Sequence, residues 1–509
     1  MGRNLFESPQ IMSKEDMKND PMIRDKKSLP LSGYSAIPTA IVHVFVILPI
    51  IFVVLVPALL VTLGFNKVGS MFSKPEKPPI EKDEVLADVT IVESSKRPFD
   101  LVLFGSTGFT GRLAAMYVAK TYGSSIRWAI CGRRKSALEE IRTELLGLNS
   151  DLKAEDIAII IADSTDYASL SRMVESTRVV CTTAGPFDKY GSDLVKCCAE
   201  RGTHYCDITG ETDWVRKMID KYDEKARETG ARIVHFCGHD CVPWDLAVLE
   251  CSNQLKKQGQ SLAEVHCYDE ICAEASGGTF ATVFHSLAQR VQYTSKLGFD
   301  PLLKTSPGDN CETTSGGASK STAIFSAKNQ SFLGYSAEFK EGAWVGPFVM
   351  AMVMANCVRR SFALNRYSPK MVYREFAVYP SFMAGVVTLI GMMLIGLAIM
   401  IPPLKWLLLE TGFIPKPGQG PSVASMDKGF LKVTALATGD SGGKAKLEFY
   451  FPTDPGYRDT ARMLVESGLV LALQLKDVKV PGGVYTPAAC QGEVLTQRLL
   501  DTGSSLQVS

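Results

Sequence analysis

Directly after the apolar run Phe99–Phe104, the chain reads Gly105-Ser106-Thr107-Gly108-Phe109-Thr110-Gly111, and a stretch of helical periodicity begins near Arg112. Glycines at G-x-x-G-x-x-G spacing let a backbone turn tightly and approach a bulky anion, whose charge then meets the N–H groups and the positive end of the helix that follows. A glycine string alone says little. Set between a strand and a helix, it predicts a cradle for the pyrophosphate of a dinucleotide, with all seven residues as contacts. A branched side chain at Gly108 would take the space that the pyrophosphate needs.

The next strand carries the choice of dinucleotide. An NAD site ends this strand in Asp or Glu, which bonds the ribose 2′-hydroxyl. Here the chain reads Cys131-Gly132-Arg133-Arg134. Two guanidiniums suit a 2′-phosphate, so NADP (NADPH) is the expected cofactor. Asp163 and Ser164 close the third strand, where adenine or ribose contacts fall. Ala184, Gly185 and Pro186 follow the fourth, where a turn of small residues gives room for the nicotinamide half.

Hydride chemistry also needs a group that manages a proton. The polar residues at carboxyl ends of strands are Tyr190, Asp207, His239 and Asp240, and each can equally be read as a loop bond or a helix cap. No Tyr-x-x-x-Lys dyad singles one out, so the catalytic group stays open. Alternate residues of His235-Phe236-Cys237-Gly238-His239-Asp240-Cys241 invite a zinc reading, but structural zinc uses two separated ligand pairs and no metal is expected.

The elements that must hold these residues are short apolar runs alternating with helical periods: Phe99–Phe104, Arg127–Cys131, Ile157–Ala162, Arg178–Ala184, His204–Ile208 and Arg232–Phe236 read as strands. Leu138, Ile141, Leu145 and Leu148 mark one intervening helix, and Trp214, Met218, Ile219 and Tyr222 another. This predicts an α/β fold, a Rossmann doubly wound parallel sheet over residues 98–258. Val265–Ala273, and Leu431–Ala437 with Ala445–Phe451 around a glycine-rich turn, predict a second α+β domain with strands on both sides of an apolar run. Phe280, Val283, Phe284 and Leu287 are at helical spacing between them.

At 509 residues the chain exceeds one ordinary core. With 55 basic and 54 acidic residues it has no field to gather nucleic acid, which leaves small molecules or lipids as partners and a homodimer as an open option. Thirteen cysteines, an odd number without C-x-x-C pairs, favour reduced thiols in a cytosol-facing domain. The apolar stretch 40–65 exceeds the roughly 20 residues that cross a bilayer, and a second uncharged run, Phe376–Leu404, ends at Pro402-Pro403. Membrane-associated hydrophobic segments are therefore expected at 38–66 and 376–411. The first is an anchor that leaves the catalytic part facing the cytosol at the endoplasmic reticulum, a lipid droplet or the plasma membrane. A polar tail (1–37), a linker (67–97) and the two parts of the second domain (259–375 and 412–509) complete the organisation.

Taken together, the residues 104–111, Cys131-Gly132-Arg133, Ala184-Gly185-Pro186-Phe187, Asp207-Ile208-Thr209-Gly210-Glu211, Gly238–Leu246 and Gly482–Ala488 resemble the signature of the saccharopine dehydrogenase-like oxidoreductases, a family that includes the trans-acting enoyl reductases of glycolipid synthesis. The resemblance spans residues 98 to 500. It implies an NAD(P)-binding Rossmann domain, a second domain with a mixed sheet and, in lipid-associated members, residence on membranes or lipid droplets. His239-Asp240-Cys241 departs from the Phe-Asp-Ser-like sequence of many relatives, and the N-terminal anchor is not a general feature. The expected function is NADPH-dependent reduction of a lipid or isoprenoid-like substrate. The alternatives are a dinucleotide-binding membrane or lipid-droplet protein without turnover, and saccharopine metabolism, whose substrate carboxylates would call for an arginine-rich pocket.

Overall fold

The computed structural model describes residues 91–273, 324–327, 333–339, 343–348, 350–411, 415 and 418–509. The expected tail 1–37, the anchor 38–66 and the helix marked by Phe280 and Phe284 lie outside the described residues.

Apolar runs bounded by turn residues form β1 (Phe99–Phe104), β2 (Trp128–Gly132), β3 (Ile157–Ile161), β4 (Thr177–Thr182), β5 (His204–Asp207) and β6 (Arg232–Val234). All six are parallel. The helices between them begin and end where local chemistry dictates. Asp166 caps Tyr167–Glu175 by accepting from the N–H groups of Ala168 and Ser169. Gly202 (φ +64°) and Gly230 (φ +80°) close Ser192–Arg201 and Thr212–Thr229 in the left-handed conformation that glycine adopts without penalty.

The helix Val242–Lys257 leaves the first sheet after β6 and leads into β7 (Leu262–Cys272) of a second sheet. That sheet also contains β8 (Ile324–Ala327), β9 (Gly334–Ser336), β10 (Ala343–Gly346), β11 (Lys370–Tyr379), β12 (Phe430–Gly439) and β13 (Lys444–Phe451). The chain then returns to the first sheet, where β14 (Gly483–Tyr485) adds a seventh strand beside β6, before β15 (Ser505–Val508) closes the second sheet next to β13. The orders are β14-β6-β5-β4-β1-β2-β3 and β15-β13-β12-β7-β11-β10-β9, with β8 on β11. The second sheet is mixed: β7 and β8 run parallel to β11, and the other pairs are antiparallel.

The helix Thr460–Leu473 fills the first sheet's other face, and a buried ionic network locks it there. The Glu466 carboxylate accepts from Tyr117 (2.6 Å), Tyr122 (2.7 Å) and Arg498 Nε (2.6 Å), and Arg498 Nη2 also donates to Tyr122 Oη (2.8 Å). Three distant parts of the chain thus share one fully satisfied charge pair.

The expected membrane-associated segment at 376–411 needs correction. Among the described residues no helix is long and apolar enough to cross a membrane. The second apolar run begins as strand, since Phe376–Tyr379 complete β11, and continues as two helices, Phe382–Met400 and Pro402–Glu410, broken at Ile401. The first has 19 residues, a rise of about 28 Å, short of the roughly 30 Å hydrocarbon core. Part of it is used within the protein: Phe382 packs on Trp344 of β10, and Gly385 lies against Leu333 and Tyr379. Met383 and Met393 stay exposed. Strands on either side of the run join one sheet, since β12 pairs along the whole of β7, and both ends of the run therefore return to the same body. Its apolar character reads as two short helices appended to a sheet.

Candidate functional site

The glycine loop lies at the carboxyl end of β1. Gly105 turns the chain at φ +87°, with its N–H on the Cys131 carbonyl (3.0 Å), and its own carbonyl accepts from Gly108 N–H (2.9 Å). Ser106 is buried and braces the turn by donating to Leu103 O (2.7 Å). Gly108 is the N-cap of the helix Phe109–Thr121, with φ −79° and ψ 164°. Gly105, and not Gly108, therefore uses the left-handed freedom of glycine. Gly111 serves close approach instead: a Cβ there would stand 2.2 Å from the Gly105 carbonyl oxygen and 2.7 Å from Thr183 Oγ1. Thr107, Phe109 and Thr110 complete the helix start, where N–H groups have no intrahelical partner and the helix dipole favours an anion. The helix start, packed tightly against the glycine loop because Gly111 has no Cβ, fits a pyrophosphate.

Arg133 and Arg134 follow β2 and are both exposed. Asp163, after β3, is held in its own turn by Thr165, whose N–H and hydroxyl both donate to Oδ1 (2.9 Å each). Those bonds, with a smaller pull from Arg133, keep its carboxyl below the usual carboxylate range. Ser164 lies beside it. Arg133 and Asp163 are thus brought together at neighbouring strand ends, at the far side of the cradle.

On the other side of the cradle, Thr183 N–H donates to the Phe104 carbonyl (3.1 Å) and Thr183 Oγ1 to the Gly105 carbonyl (3.3 Å), so the turn Ala184-Gly185-Pro186 is anchored directly to the glycine loop. The Gly185–Pro186 peptide is cis. Beyond it Glu211 clamps the turn from the next loop: its two carboxylate oxygens accept from the N–H groups of Phe187 and Asp188, at 2.8 Å each. Neither Thr183 nor Glu211 was singled out from sequence. The signal for Glu211 was its place in the strand-end run 207–211, but only the fold brings that run against residues 187 and 188.

The four candidates for proton handling separate clearly. Asp207 is completely buried and saturated, accepting from Tyr205 Oη (2.9 Å), Thr209 N–H (3.1 Å) and Phe236 N–H (3.1 Å) and pairing with His235 Nδ1 (2.7 Å). It fixes the ends of β5 and β6 to each other. Part of what it holds is strained: Phe236 sits at φ +68°, a region costly for a bulky residue. Tyr190 ends the short helix Phe187–Tyr190, with Lys189 Nζ 4.9 Å from its ring centre.

His239 and Asp240 lie in the loop between β6 and the helix Val242–Lys257. His239 is 6 % exposed, its ring centre is 5.2 Å from that of Trp244, and its Nδ1 has no hydrogen-bond partner among the described residues. Burial pushes its pKa down to about 3, so the ring is neutral at physiological pH. Asp240 is half-buried, and burial pushes its carboxyl up to about 6. Among the described residues no group of His, Cys, Asp and Glu could hold a metal ion.

The rest of this wall is apolar. Met350 and Val353 approach Gly210, and the Phe348 ring lies 5.9 Å from that of Trp244. Gly420 lies so close to Phe109 that a Cβ there would be 2.4 Å from its ring, and Tyr457 meets the same ring edge-on at 5.2 Å. The second half of the chain therefore covers the glycine loop.

Residues 101–234 match the family profile of the saccharopine dehydrogenase NADP binding domain. Along most of its length the chain is similar to the trans-acting enoyl reductases of Mycobacterium tuberculosis, 34% identical over 427 residues covering 80% of this chain and 97% of the relative, and of Mycobacterium ulcerans, 34% identical over 428 residues covering 81% and 98%. Among solved structures, the apo saccharopine dehydrogenase (L-Glu forming) of Saccharomyces cerevisiae aligns with a TM-score of 0.44 at 12% identity, over 80% of this chain and 99% of that one.

Proposed function

From the premise that the chain belongs to the trans-acting enoyl reductase family, and is an NADP-dependent oxidoreductase with a nucleotide domain of saccharopine dehydrogenase type, we propose that it reduces the carbon–carbon double bond of an enoyl group borne on an apolar, lipid-type chain. The observation that carries the reading is the composition of the wall facing the strand ends. Met350, Val353 and Phe348 give it an apolar surface backed by the buried Trp244, and His239 and Asp240 are the polar groups beside them.

NADPH, when bound, supplies the hydride. The chain's own residues do the rest. The loop Gly105–Gly111 takes the pyrophosphate against its N–H groups, and Arg133 and Arg134 take the 2′-phosphate. Ala184, Gly185 and Pro186, held by Thr183 and Glu211, form the surface that the nicotinamide half lies on. Reduction of an enoyl group leaves an enolate that needs a proton at its α-carbon. Asp240, with its carboxyl raised to about 6, keeps roughly a tenth of its molecules protonated at pH 7 and is the donor in this reading. His239, neutral and with a bare Nδ1, lines the same place.

The test follows NADPH oxidation by the purified chain with trans-2-enoyl thioesters of increasing length. Each methylene that enters an apolar wall contributes about 0.8 kcal/mol, so kcat/KM rises about fourfold per methylene until the wall is filled. No oxidation at any chain length would sink the proposal.

A further inference from the structure

Two carboxyl groups lie behind the site and take no part in the chemistry above. Asp269 on β7 and Glu375 on β11 are both completely buried. The strands run parallel with Glu375 opposite Cys267 and Ala377 opposite Asp269. Side chains two residues apart on a strand share a face, so the two carboxyls are diagonal neighbours on the face that meets the helix Val242–Lys257. Each uses one oxygen: Asp269 Oδ1 accepts from Trp244 Nε1 (2.7 Å) and Glu375 Oε2 from Tyr373 Oη (2.6 Å). The other two oxygens, Asp269 Oδ2 and Glu375 Oε1, meet no hydrogen-bond donor among the described residues.

We propose that Asp269 and Glu375 share a proton and form a positioning pair, which holds the indole of Trp244 and, through it, the ring of His239 at the cleft. Two ionised carboxylates here would be buried like charges, with no counter-ion among the described residues, whereas a shared proton supplies a donor for the second oxygens. The surroundings agree. The groups acting on the pair are Trp244 from the helix, Tyr373 from β11, and the thiols of Cys241 and Cys267, with apolar Val433 opposite Asp269 on β12. Among the described residues no lysine or arginine stands with them. Burial pushes the Glu375 carboxyl up to about 8, and burial, with the charge of Glu375 second, raises that of Asp269. From the pair the contacts run outward: Asp269 to the Trp244 N–H at 2.7 Å, then Trp244 to the His239 ring at 5.2 Å.

The shared proton makes stability fall with rising pH. Glu375 is protonated more readily when folded, from an ordinary 4.5 to about 8, so its contribution is complete in acid and is lost as pH rises through that interval. Thermal midpoints of the full chain between about pH 5 and about pH 8 should therefore fall more steeply for the natural protein than for Asp269→Asn/Glu375→Gln, whose amides keep shape and donors but do not titrate. Glu375→Gln alone serves if the double variant does not fold. Equal slopes overturn the shared proton.

The positioning role is read from the His239 ring signal in a histidine-labelled chain, identified by its loss in His239→Gln. Asp269→Asn keeps an acceptor for the indole and leaves the signal in place; Asp269→Leu removes the acceptor and shifts it. An unmoved signal in Asp269→Leu overturns that role. The use of His239 as a site residue rests on the enoyl reductase reading, but neither readout needs turnover, so inactivity towards enoyl thioesters would overturn that reading alone.

Discussion

Gly111→Ala tests the phosphate cradle most directly, because the structure sets its cost. The added Cβ would stand 2.2 Å from the Gly105 carbonyl oxygen, 2.8 Å from its carbonyl carbon and 2.7 Å from Thr183 Oγ1. Two of these are backbone atoms of the turn itself, and the third belongs to the side chain that ties that turn to residue 184, so none can swing away as a long side chain would. Overpacking of this kind costs about 1–3 kcal/mol, and relief requires the glycine loop to move off the helix start, which is the surface that binds pyrophosphate. The expected result is a thermal midpoint lowered by about 2–4 °C per kcal/mol together with NADPH affinity weakened at least tenfold, the equivalent of about 1.4 kcal/mol. Gly108→Ala is the internal control. Its Cβ would meet only the Gly105 carbonyl oxygen, at 3.3 Å, and its φ of −79° suits any residue. Its stability should stay within about 0.5 kcal/mol, as for substitutions away from special features, while the methyl group intrudes on the bound pyrophosphate and lowers affinity. Calorimetric titration with NADPH and scanning calorimetry of the same samples give both quantities. Unchanged affinity in Gly111→Ala would refute the cradle, and a midpoint loss in Gly108→Ala equal to that of Gly111→Ala would refute the division of labour between the two glycines.

NADPH should bind at least tenfold more tightly than NADH, and Arg133→Ala/Arg134→Ala should bring the two together; equal affinities in the natural protein would show that the arginines serve only solvent. Glu211→Ala removes the acceptor of two bonds of 2.8 Å and should destabilise by about 1.5–3 kcal/mol in urea unfolding, while Glu211→Gln, which keeps one carbonyl oxygen, loses less. Glu466→Ala leaves Arg498 buried without its charge partner and should cost about 3–5 kcal/mol, measured by the same unfolding. If Asp240 gives the proton, its acid form is the active one, so kcat falls tenfold per pH unit above about 6; a profile that Asp240→Asn leaves unaltered removes it from the reaction.

What the sequence determined by itself is the part of the fold written in local periodicity. The strands β1 to β6, the glycine loop between β1 and its helix, and the arginines after β2 were legible because each depends on residues adjacent in the chain: apolar runs, turn formers and the residue at a strand end. The NADP domain followed from them. The second sheet was visible as alternation at 265–273, 431–437 and 445–451, with its pairing left to the fold. Tertiary structure decided matters that hang on residues far apart in sequence. The run Phe376–Leu404 carries the composition of a membrane segment, and composition cannot show that its start is a sheet strand or that β7 and β12 close on each other past it. Asp207 and Asp240 look alike as strand-end carboxylates, yet one is saturated by four partners while the other is left half-buried with a raised pKa, a difference made by which neighbours the strands deliver. Glu211 reaches Phe187 and Trp244 reaches Asp269 across gaps of 24 and 25 residues, and the pairing of β7 with β11 sets Glu375 diagonal to Asp269 across more than a hundred. A hydrogen bond needs its partners within about 3 Å, and nothing in a local pattern of side chains encodes which distant residue will be there.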